Sequence, residues 1–334
     1  MKVLVIFLAS WFSLSVVHAQ AADRLKLTKT IPLAGVKGRF DHFAADVEGK
    51  RLFVAALGNN TLEIIDAAAA KRVHAITGLH KPTGVAFLPE ANEIIVANGD
   101  DGTVKIFDGT KYKLVKNITG LDDADNVRLD AKAHLIYVGY GDGALAAIDA
   151  QKFEVVGTIK LKAHPESFQL EQNGNRIFVN VPDAKHIAVV DRQKRTVIAI
   201  WPMEKFRANF PMALDGANHR LFVGCRMPAR LVVFDTTIGT VVTDLAISGD
   251  TDDLFYDAKL KRLYISCGEG FVDVIDERNE NSYQLRERIP TRGGARTSFF
   301  SAEMNELFLA VPQRGNQDAE IRVFQEEGLS EQQC

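Results

Sequence analysis

Apolar residues occur along this chain in pairs of short runs, and each pair is joined by a loop that contains turn-forming residues such as Gly, Asn and Asp. The pair recurs seven times, at residues 52–66, 94–108, 135–149, 177–191, 221–235, 263–276 and 307–324. The first six copies end in Asp, and these Asp residues follow one another after 42, 41, 42, 44 and 41 residues. Short apolar runs bounded by turn residues predict β-strands. A repeat of about 40 residues has room for four such strands, which make one blade of a β-propeller.

The second run of each pair is nearly continuous in apolar residues, as in 104–107, 187–190 and 231–234. Strands with this pattern are buried on both faces, which is expected when blades stack side by side. The seventh repeat lacks an outer strand, whereas residues 25–33 have the pattern of outer strands such as 155–161. The sequence therefore predicts an all-β, seven-bladed β-propeller of four-stranded antiparallel blades, with a ring closed by the N-terminal strand.

The chain divides into three segments. Residues 1–21 begin with Lys2, continue with an apolar stretch over 3–17 and end in a small-x-small pattern, so they predict a secretory signal peptide. Residues 22–325 are predicted to form a single propeller domain, and the polar residues 326–334 a disordered tail. This organisation predicts a periplasmic or secreted protein that has no membrane span after cleavage.

Composition and charge narrow the possible partners. Without residues 1–21 the chain has 39 basic and 43 acidic side chains, and it has no basic track interleaved with aromatic residues. A nucleic acid is therefore not an expected partner. Cys225 and Cys267 occupy the same phase of adjacent repeats, so we expect them on neighbouring blades roughly 10 Å apart. This separation predicts two buried thiols rather than a disulfide.

Several of the apolar runs resemble a known repeat. Residues 95–98 (IVAN), 136–139 (IYVG) and 178–180 (FVN) are each followed by a closure such as 189–191 (VVD) or 274–276 (VID). They resemble the YVTN repeat, a WD40-like repeat, and the mature chain is similar to the secreted bacterial YVTN/YncE-like seven-bladed propellers. The resemblance implies the fold and a periplasmic or extracellular location. Members and related propellers have been linked to nucleic-acid binding, cell-surface roles, electron transfer and lactone hydrolysis, so the resemblance leaves the activity open.

The Asp that ends each repeat predicts a scaffold role. Its side chain can accept hydrogen bonds from the backbone N–H groups of the turn to the outer strand. Because the same residue recurs at the same phase, we assign all six to the fold: Asp66, Asp108, Asp149, Asp191, Asp235 and Asp276.

Function is expected where the repeats differ, in the loops that lead into the inner strands at the mouth of the central channel. Alignment of the inner strands places one residue of each blade at a common level: Asp41, Thr83, Asp125, Glu166, Phe210, Asp252 and Arg296. The next level holds His42, Gly84, Asn126, Ser167, Pro211, Asp253 and Thr297. The candidate ligand-binding residues are Asp41, His42, Asp125, Asn126, Glu166, Asn209, Asp252, Asp253 and Arg296.

Three chemistries fit this ring. A hard divalent cation such as Ca²⁺ can bind to a set of four carboxylates and polarise an ester or lactone carbonyl; the set is Asp41, Asp125, Glu166 and Asp252. His42 or His164 beside a carboxylate can act as a general base. Arg296, with Arg39 and Arg128 in nearby loops, can hold an anionic ligand.

Two functions stay open on the sequence. The first is a non-enzymatic scaffold that binds a small polar ligand or a protein partner at the channel mouth. The second is a metal-assisted hydrolase of the lactonase type, which would use the acidic ring as its cation site. The two differ in whether the ring holds a catalytic cation.

Overall fold

The computed structural model describes residues 24–327. The predicted signal peptide, residues 328–334 of the predicted tail and Cys334 lie outside the described residues. Within residues 24–327 the chain forms 28 strands and one short 3-10 helix, Leu57–Asn59. The strands, in chain order, are β1 (Leu25–Leu33), β2 (Phe43–Asp46), β3 (Arg51–Ala56), β4 (Thr61–Asp66), β5 (Lys71–Ile76), β6 (Pro82–Leu88), β7 (Glu93–Asn98), β8 (Thr103–Asp108), β9 (Leu114–Ile118), β10 (Val127–Asp130), β11 (Leu135–Tyr140), β12 (Ala144–Asp149), β13 (Val155–Lys160), β14 (Phe168–Leu170), β15 (Arg176–Val181), β16 (His186–Asp191), β17 (Thr196–Pro202), β18 (Arg207–Asp215), β19 (Arg220–Met227), β20 (Ala229–Asp235), β21 (Thr240–Ala246), β22 (Thr251–Asp257), β23 (Arg262–Cys267), β24 (Phe271–Asn279), β25 (Ser282–Pro290), β26 (Thr297–Ser301), β27 (Glu306–Val311) and β28 (Ala319–Glu326).

The strands form seven four-stranded antiparallel sheets, one for each repeat. Six sheets consist of four consecutive strands, from β2–β5 as blade 1 to β22–β25 as blade 6. Blade 7 has the order β1-β28-β27-β26, and its register pairs Ile31 with Ile321 and Leu33 with Ala319. The predicted fold class is confirmed, including closure of the ring by the N-terminal strand.

The hydrophobic core lies between the blades. Phe53 on β3 stacks on Phe87 on β6 with ring centroids 5.3 Å apart, which joins blades 1 and 2. Trp201 on β17 lies 5.3 Å from Phe178 of its own blade and 5.9 Å from Phe234 of blade 5. Each blade therefore buries both faces, which explains why strands such as β12 and β16 are nearly continuous in apolar residues.

Five of the six repeat-ending Asp residues accept backbone hydrogen bonds of their own turn, as predicted. Asp149 Oδ1 accepts from the N–H groups two and three residues later, at 2.9 and 2.8 Å. Three others accept in the same way, namely Asp108, Asp191 and Asp235, and Asp66 accepts from the N–H group three residues later only. For Asp276 the prediction is wrong, because β24 continues to Asn279 and the carboxylate pairs with Arg262 and Arg286 instead.

The last strand ends at Glu326, one residue beyond the predicted domain boundary at 325, so Glu326 belongs to the fold rather than to the tail. Its carboxylate is buried between blades 6 and 7. Arg262 Nη1 lies 2.6 Å from Glu326 Oε1, and the Tyr264 hydroxyl donates to the same oxygen at 2.9 Å. A buried carboxylate requires partners of this kind, and they hold the end of β28 in place.

Cys225 and Cys267 are both buried and free, as their positions on adjacent blades predicted. Burial raises the pKa of the Cys225 thiol to about 12, so this thiol is not reactive at neutral pH. Among residues 24–327, no helix has the length and apolar character needed to cross a membrane.

Candidate binding site at the channel mouth

The loops that lead into the inner strands meet at one end of the central channel. Asp41 donates its backbone N–H to Ala55 O at 2.9 Å, and Asp125 donates to Gly139 O at 2.8 Å. Glu166 makes the equivalent bond in blade 4. Because each bond goes to the same position of the adjacent strand, the three side chains lie at one level, as the sequence alignment predicted.

Hydrogen bonds between blades hold these loops. Thr83 Oγ1 of blade 2 donates to Ala124 O of blade 3 at 2.7 Å. Ser266 Oγ of blade 6 donates to Arg296 O of blade 7 at 2.7 Å. The backbone that carries the mouth residues is therefore attached to two blades, and their side chains start from fixed positions.

A cavity of about 270 Å³ opens at this end of the channel. Asn209 does not line the cavity, because it is fully buried and its Nδ2 donates to Asn180 Oδ1 at 2.9 Å, which ties blades 4 and 5 together. The other predicted ligand-binding residues all line it: Asp41, His42, Asp125, Asn126, Glu166, Asp252, Asp253 and Arg296.

One side of the cavity, which we call the acidic side, brings three carboxylates and two histidines together. His42 Nε2 lies 3.6 Å from Asp41 Oδ1 and 3.7 Å from Asp125 Oδ1. His164 Nε2 lies 3.8 Å from Asp125 Oδ2, and Glu166 lies beside them. Asp125 therefore belongs to two groups of three possible metal ligands, Asp41–His42–Asp125 and Asp125–His164–Glu166, and in each group the ligand atoms lie within 4.8 Å of one another.

Positive charge does not balance the acidic side. The cavity lining as a whole contains six carboxylates against four Lys or Arg side chains. Within residues 24–327, no Lys or Arg nitrogen lies within 4.0 Å of a carboxylate oxygen of Asp125 or Glu166. An excess of carboxylates over Lys and Arg in a partly enclosed cavity favours the binding of a cation.

Burial and the charges of neighbouring groups shift the pKa values of these residues. Burial, and then the charge of Asp125, raises the pKa of both Asp41 and Glu166 well above the usual ranges. Burial also opposes ionisation of Asp125, but His164 and His42 hold its pKa below the usual value. Asp125 in turn raises the pKa of His164 to about 9, and burial raises the pKa of Asp253 to about 7. Asp125 is thus the ionised carboxylate at the centre of the acidic side.

A buried amide without a partner lies next to this group. Asn126 is 1% exposed, it lines the cavity, and its side-chain oxygen has no hydrogen-bond partner among the described residues. An unsatisfied buried polar group costs about 1–3 kcal/mol. Native proteins keep few such groups, so the amide of Asn126 is available to whatever enters the cavity.

The opposite side of the cavity is neutral. Asp252 pairs with Arg226 through one oxygen and with Arg296 Nε at 3.0 Å through the other. Arg296 also lies 2.7 Å from Asp250, and the Arg226 guanidinium lies 4.1 Å from the centroid of Phe210. Arg296 faces the channel, as predicted. Asp252, however, is engaged by two guanidinium groups, so it does not join the other three carboxylates of the predicted cation site.

The other two arginines of the predicted anion clamp do not join Arg296. Arg39 lies at the rim, where its Nη2 is 3.4 Å from Asp41 Oδ2. Arg128 is on β10 and faces a deeper part of the channel, where it donates to Val127 O at 2.9 Å. The predicted cluster of three arginines is therefore replaced by the pair Arg226 and Arg296.

The observed set of possible metal ligands differs in kind from the predicted one. Ca²⁺ prefers six to eight oxygen ligands. Imidazole nitrogens suit Zn²⁺ and other transition metals. Because His42 and His164 take the place that Asp252 was expected to fill, the acidic side matches a transition metal better than the predicted Ca²⁺.

Alignment of the inner strands did not show that a second ring of charged residues lies two positions before the first, although Arg39 and His164 of this ring were named individually. Lys81 Nζ lies 3.2 Å from Asp123 Oδ1 in this ring. Arg39, His164 and Asp250 occupy the equivalent positions of other blades. Lys81, Asp123 and Asp250 lie in loops, each with a left-handed φ, at 53°, 48° and 58°. Their common offset from the first ring within the repeat was the signal that could have identified them.

Comparison with known proteins supports the fold. No family model and no curated protein matches this sequence. A chain in a crystal structure of the Mitotic Checkpoint Complex is similar with a TM-score of 0.76 and 13% identity, over 97% of this chain and 98% of that chain. A chain of Kuenenia stuttgartiensis hydrazine synthase has a TM-score of 0.73 and 17% identity, over 86% of this chain and 99% of that chain. At these identities the similarity shows the β-propeller fold alone.

Proposed function

We propose that this protein is a binding propeller of the secreted YVTN type, which takes a small polar ligand at the mouth of its central channel. The main support is that all seven blades contribute polar side chains to one cavity of about 270 Å³. Cavities of a few hundred Å³ with convergent polar groups are the usual form of small-molecule sites. The size favours a ligand of metabolite dimensions over a segment of a partner protein.

The charges around the cavity indicate how such a ligand would lie. The acidic side faces a positive group or a bound cation. Arg226 and Arg296, held in place by Asp250 and Asp252, face an anionic or strongly polar group and can donate to it. A periplasmic or extracellular location accords with the charged start and apolar stretch of residues 1–21.

A thermal-shift screen tests this function. The probes are small amines, carboxylates, amino acids and sugars, each with and without EDTA. At least one class should raise the Tm of the protein, since a ligand that binds only the folded state stabilises it. Arg296→Ala should reduce that shift and leave the Tm of the free protein nearly unchanged.

Arg322→Ala is the matched control, because Arg322 also lies in blade 7 and pairs with Glu320 at 2.8 Å, but does not line the cavity. It should keep the full shift. Absence of a shift with every class of compound, in both buffers, would contradict the proposed function.

A metal-assisted hydrolase is the second candidate, and the two groups of histidine and carboxylate ligands favour it. A cation held there can polarise an ester or lactone carbonyl. Protein supplied with Zn²⁺ should then hydrolyse such a substrate faster than Asp125→Asn under the same conditions. Equal rates would contradict the hydrolase and leave ligand binding as the only proposed function.

A further inference from the structure

We infer that the acidic side of the mouth is a two-metal site in which the carboxylate of Asp125 bridges two transition-metal ions. Asp41 and His42 complete the ligands of the first ion, and His164 and Glu166 those of the second. The inference deepens the proposed function, because it names what the mouth binds on its acidic side.

The two oxygens of Asp125 face different histidines, which is the geometry of a bridge. Oδ1 lies 3.7 Å from His42 Nε2, and Oδ2 lies 3.8 Å from His164 Nε2. Around a tetrahedral cation with bonds near 2.1 Å, neighbouring ligand atoms lie roughly 3.4 Å apart. These pairs of atoms therefore need to approach by only a few tenths of an ångström. One shared carboxylate suits a pair of ions about 3.5–4 Å apart, the separation that two-metal sites show.

A hydrogen bond at Nδ1 orients His164 for this role, and His42 has a carboxylate on the same Nδ1 side of its ring. His164 Nδ1 donates to Gly141 O at 2.7 Å, which fixes the tautomer that leaves Nε2 free as a ligand when the ring is neutral. His42 has Asp253 Oδ1 at 4.0 Å from Nδ1, on the side away from Asp125. A histidine that ligates a metal through one nitrogen and faces an oxygen acceptor with the other is the usual arrangement at metal centres.

Two buried oxygens without a hydrogen-bond partner point the same way, one of them outside the ligand groups. Asn126, which is 1% exposed, has a side-chain oxygen without a hydrogen-bond partner and lines the same cavity. Asp125 Oδ1 is itself buried without a hydrogen-bond partner. Metal ions would supply the missing partner of Asp125 and offset the excess of carboxylates in the lining.

Isothermal titration of the EDTA-treated, dialysed protein with Zn²⁺, and separately with Mn²⁺, tests the site. The wild type should bind two ions per chain, and His42→Gln and His164→Gln should each keep only one tight site. Asp125→Asn should weaken both sites by more than about 100-fold, because it removes a ligand that both ions share. Asp252→Asn is the matched control and should keep two ions, since Asp252 lines the same cavity but pairs with Arg226 and Arg296.

Circular dichroism melting of each variant without metal shows whether it is folded. A loss of metal binding in a folded variant can then be attributed to the loss of a ligand. A second measurement needs no variant: the electron paramagnetic resonance spectrum of wild type with two Mn²⁺ should show an exchange-coupled pair. One ion per chain, or two uncoupled ions, would overturn the bridge. If neither metal binds, the two-metal site is wrong. The proposed ligand-binding function is wrong only if no compound raises the Tm in the thermal-shift screen, either without EDTA or with it.

Discussion

The closure between blades 6 and 7 and the acidic side of the channel mouth both hold carboxylates away from solvent, but Asp125 and Glu166 at the mouth lack the arginine partner that Glu326 has at the closure. Glu326 Oε1 lies 2.6 Å from Arg262 Nη1 and accepts a hydrogen bond from the Tyr264 hydroxyl at 2.9 Å. At the mouth, Asp125 and Glu166 have no Lys or Arg nitrogen within 4.0 Å among residues 24–327. Unpaired charge in a partly buried position costs stability, and proteins accept that cost mainly at functional sites. The difference separates carboxylates that stabilise the ring of blades from carboxylates that are available to bind a ligand at the mouth.

A shortage of arginine does not explain the difference. Arg226 and Arg296 lie in the same cavity, but Asp250 and Asp252 hold both of them on the neutral side. The arrangement of the loops thus leaves Asp125 and Glu166 on the acidic side without a Lys or Arg partner, and Asp125 faces the two histidines instead. A cation from solution is the partner that this arrangement leaves room for.

Removal of residues 22–33 should have the largest effect on the closure. It takes away β1, whose Ile31 and Leu33 are fully buried, and exposes the edge of β28. We expect the cooperative transition to be lost or the Tm to fall by more than about 10 °C, well beyond the roughly 2–4 °C per kcal/mol of an ordinary substitution. Calorimetry of the truncated and full chains measures this. An unchanged transition would show that the stability of the ring does not depend on closure by β1.

Glu326→Ala should have the next largest effect. It removes one of the two carboxylates that pair with the buried Arg262 guanidinium and leaves Asp276 at 3.2 Å, so the free energy of unfolding should fall by about 1–3 kcal/mol. Glu327→Ala is the control, because Glu327 pairs with Lys26 at the surface, and its loss should cost about 0–1 kcal/mol. Urea denaturation measures both values. Similar costs for the two variants would mean that the closure does not depend on its buried pair.

Glu166→Gln should act in the opposite direction when no metal is present. It removes a charge that burial and Asp125 both disfavour, and it takes no ion pair away. In EDTA we expect the Tm to rise by about 2–4 °C. A fall in Tm would show that Glu166 contributes to the fold, and the contrast between mouth and closure would not hold for this residue.

The turn carboxylates should show the smallest effect. Hydrogen bonds from the N–H groups of Lys152 and Gln151 lower the pKa of Asp149. A lowered pKa stabilises the fold above the pKa of the unfolded chain, near 3.9, and this contribution disappears as the pH falls through the folded value. Wild type should therefore melt slightly above Asp149→Asn at pH 6, and the difference should shrink between about pH 4 and pH 2. A difference that grows on acidification would contradict this assignment.

The fold was predictable because its determinants repeat. The apolar runs and the Asp turns recur with every blade, so an error at one copy, such as Asp276, leaves the other copies intact. The level of the mouth residues was also predictable, because it follows from the register of neighbouring strands, which places Asp41 opposite Ala55 and Asp125 opposite Gly139.

The pairing of charges at the mouth was not predictable from the sequence. Asp252 and Asp125 occupy the same position of their blades, yet Asp252 pairs with Arg226 and Arg296 whereas Asp125 faces two histidines. These contacts join loops of different blades through long side chains. Their choice of rotamer depends on the assembled ring, and no local pattern encodes it.

The most direct test is a crystal structure of the protein grown with Zn²⁺, with diffraction data collected on both sides of the zinc absorption edge. We predict two anomalous peaks about 3.5–4 Å apart on either side of the Asp125 carboxylate, one near His42 and one near His164. A mouth without any peak, or a single ion bound at Asp252, would contradict the claim that its unpaired carboxylates are kept to bind cations.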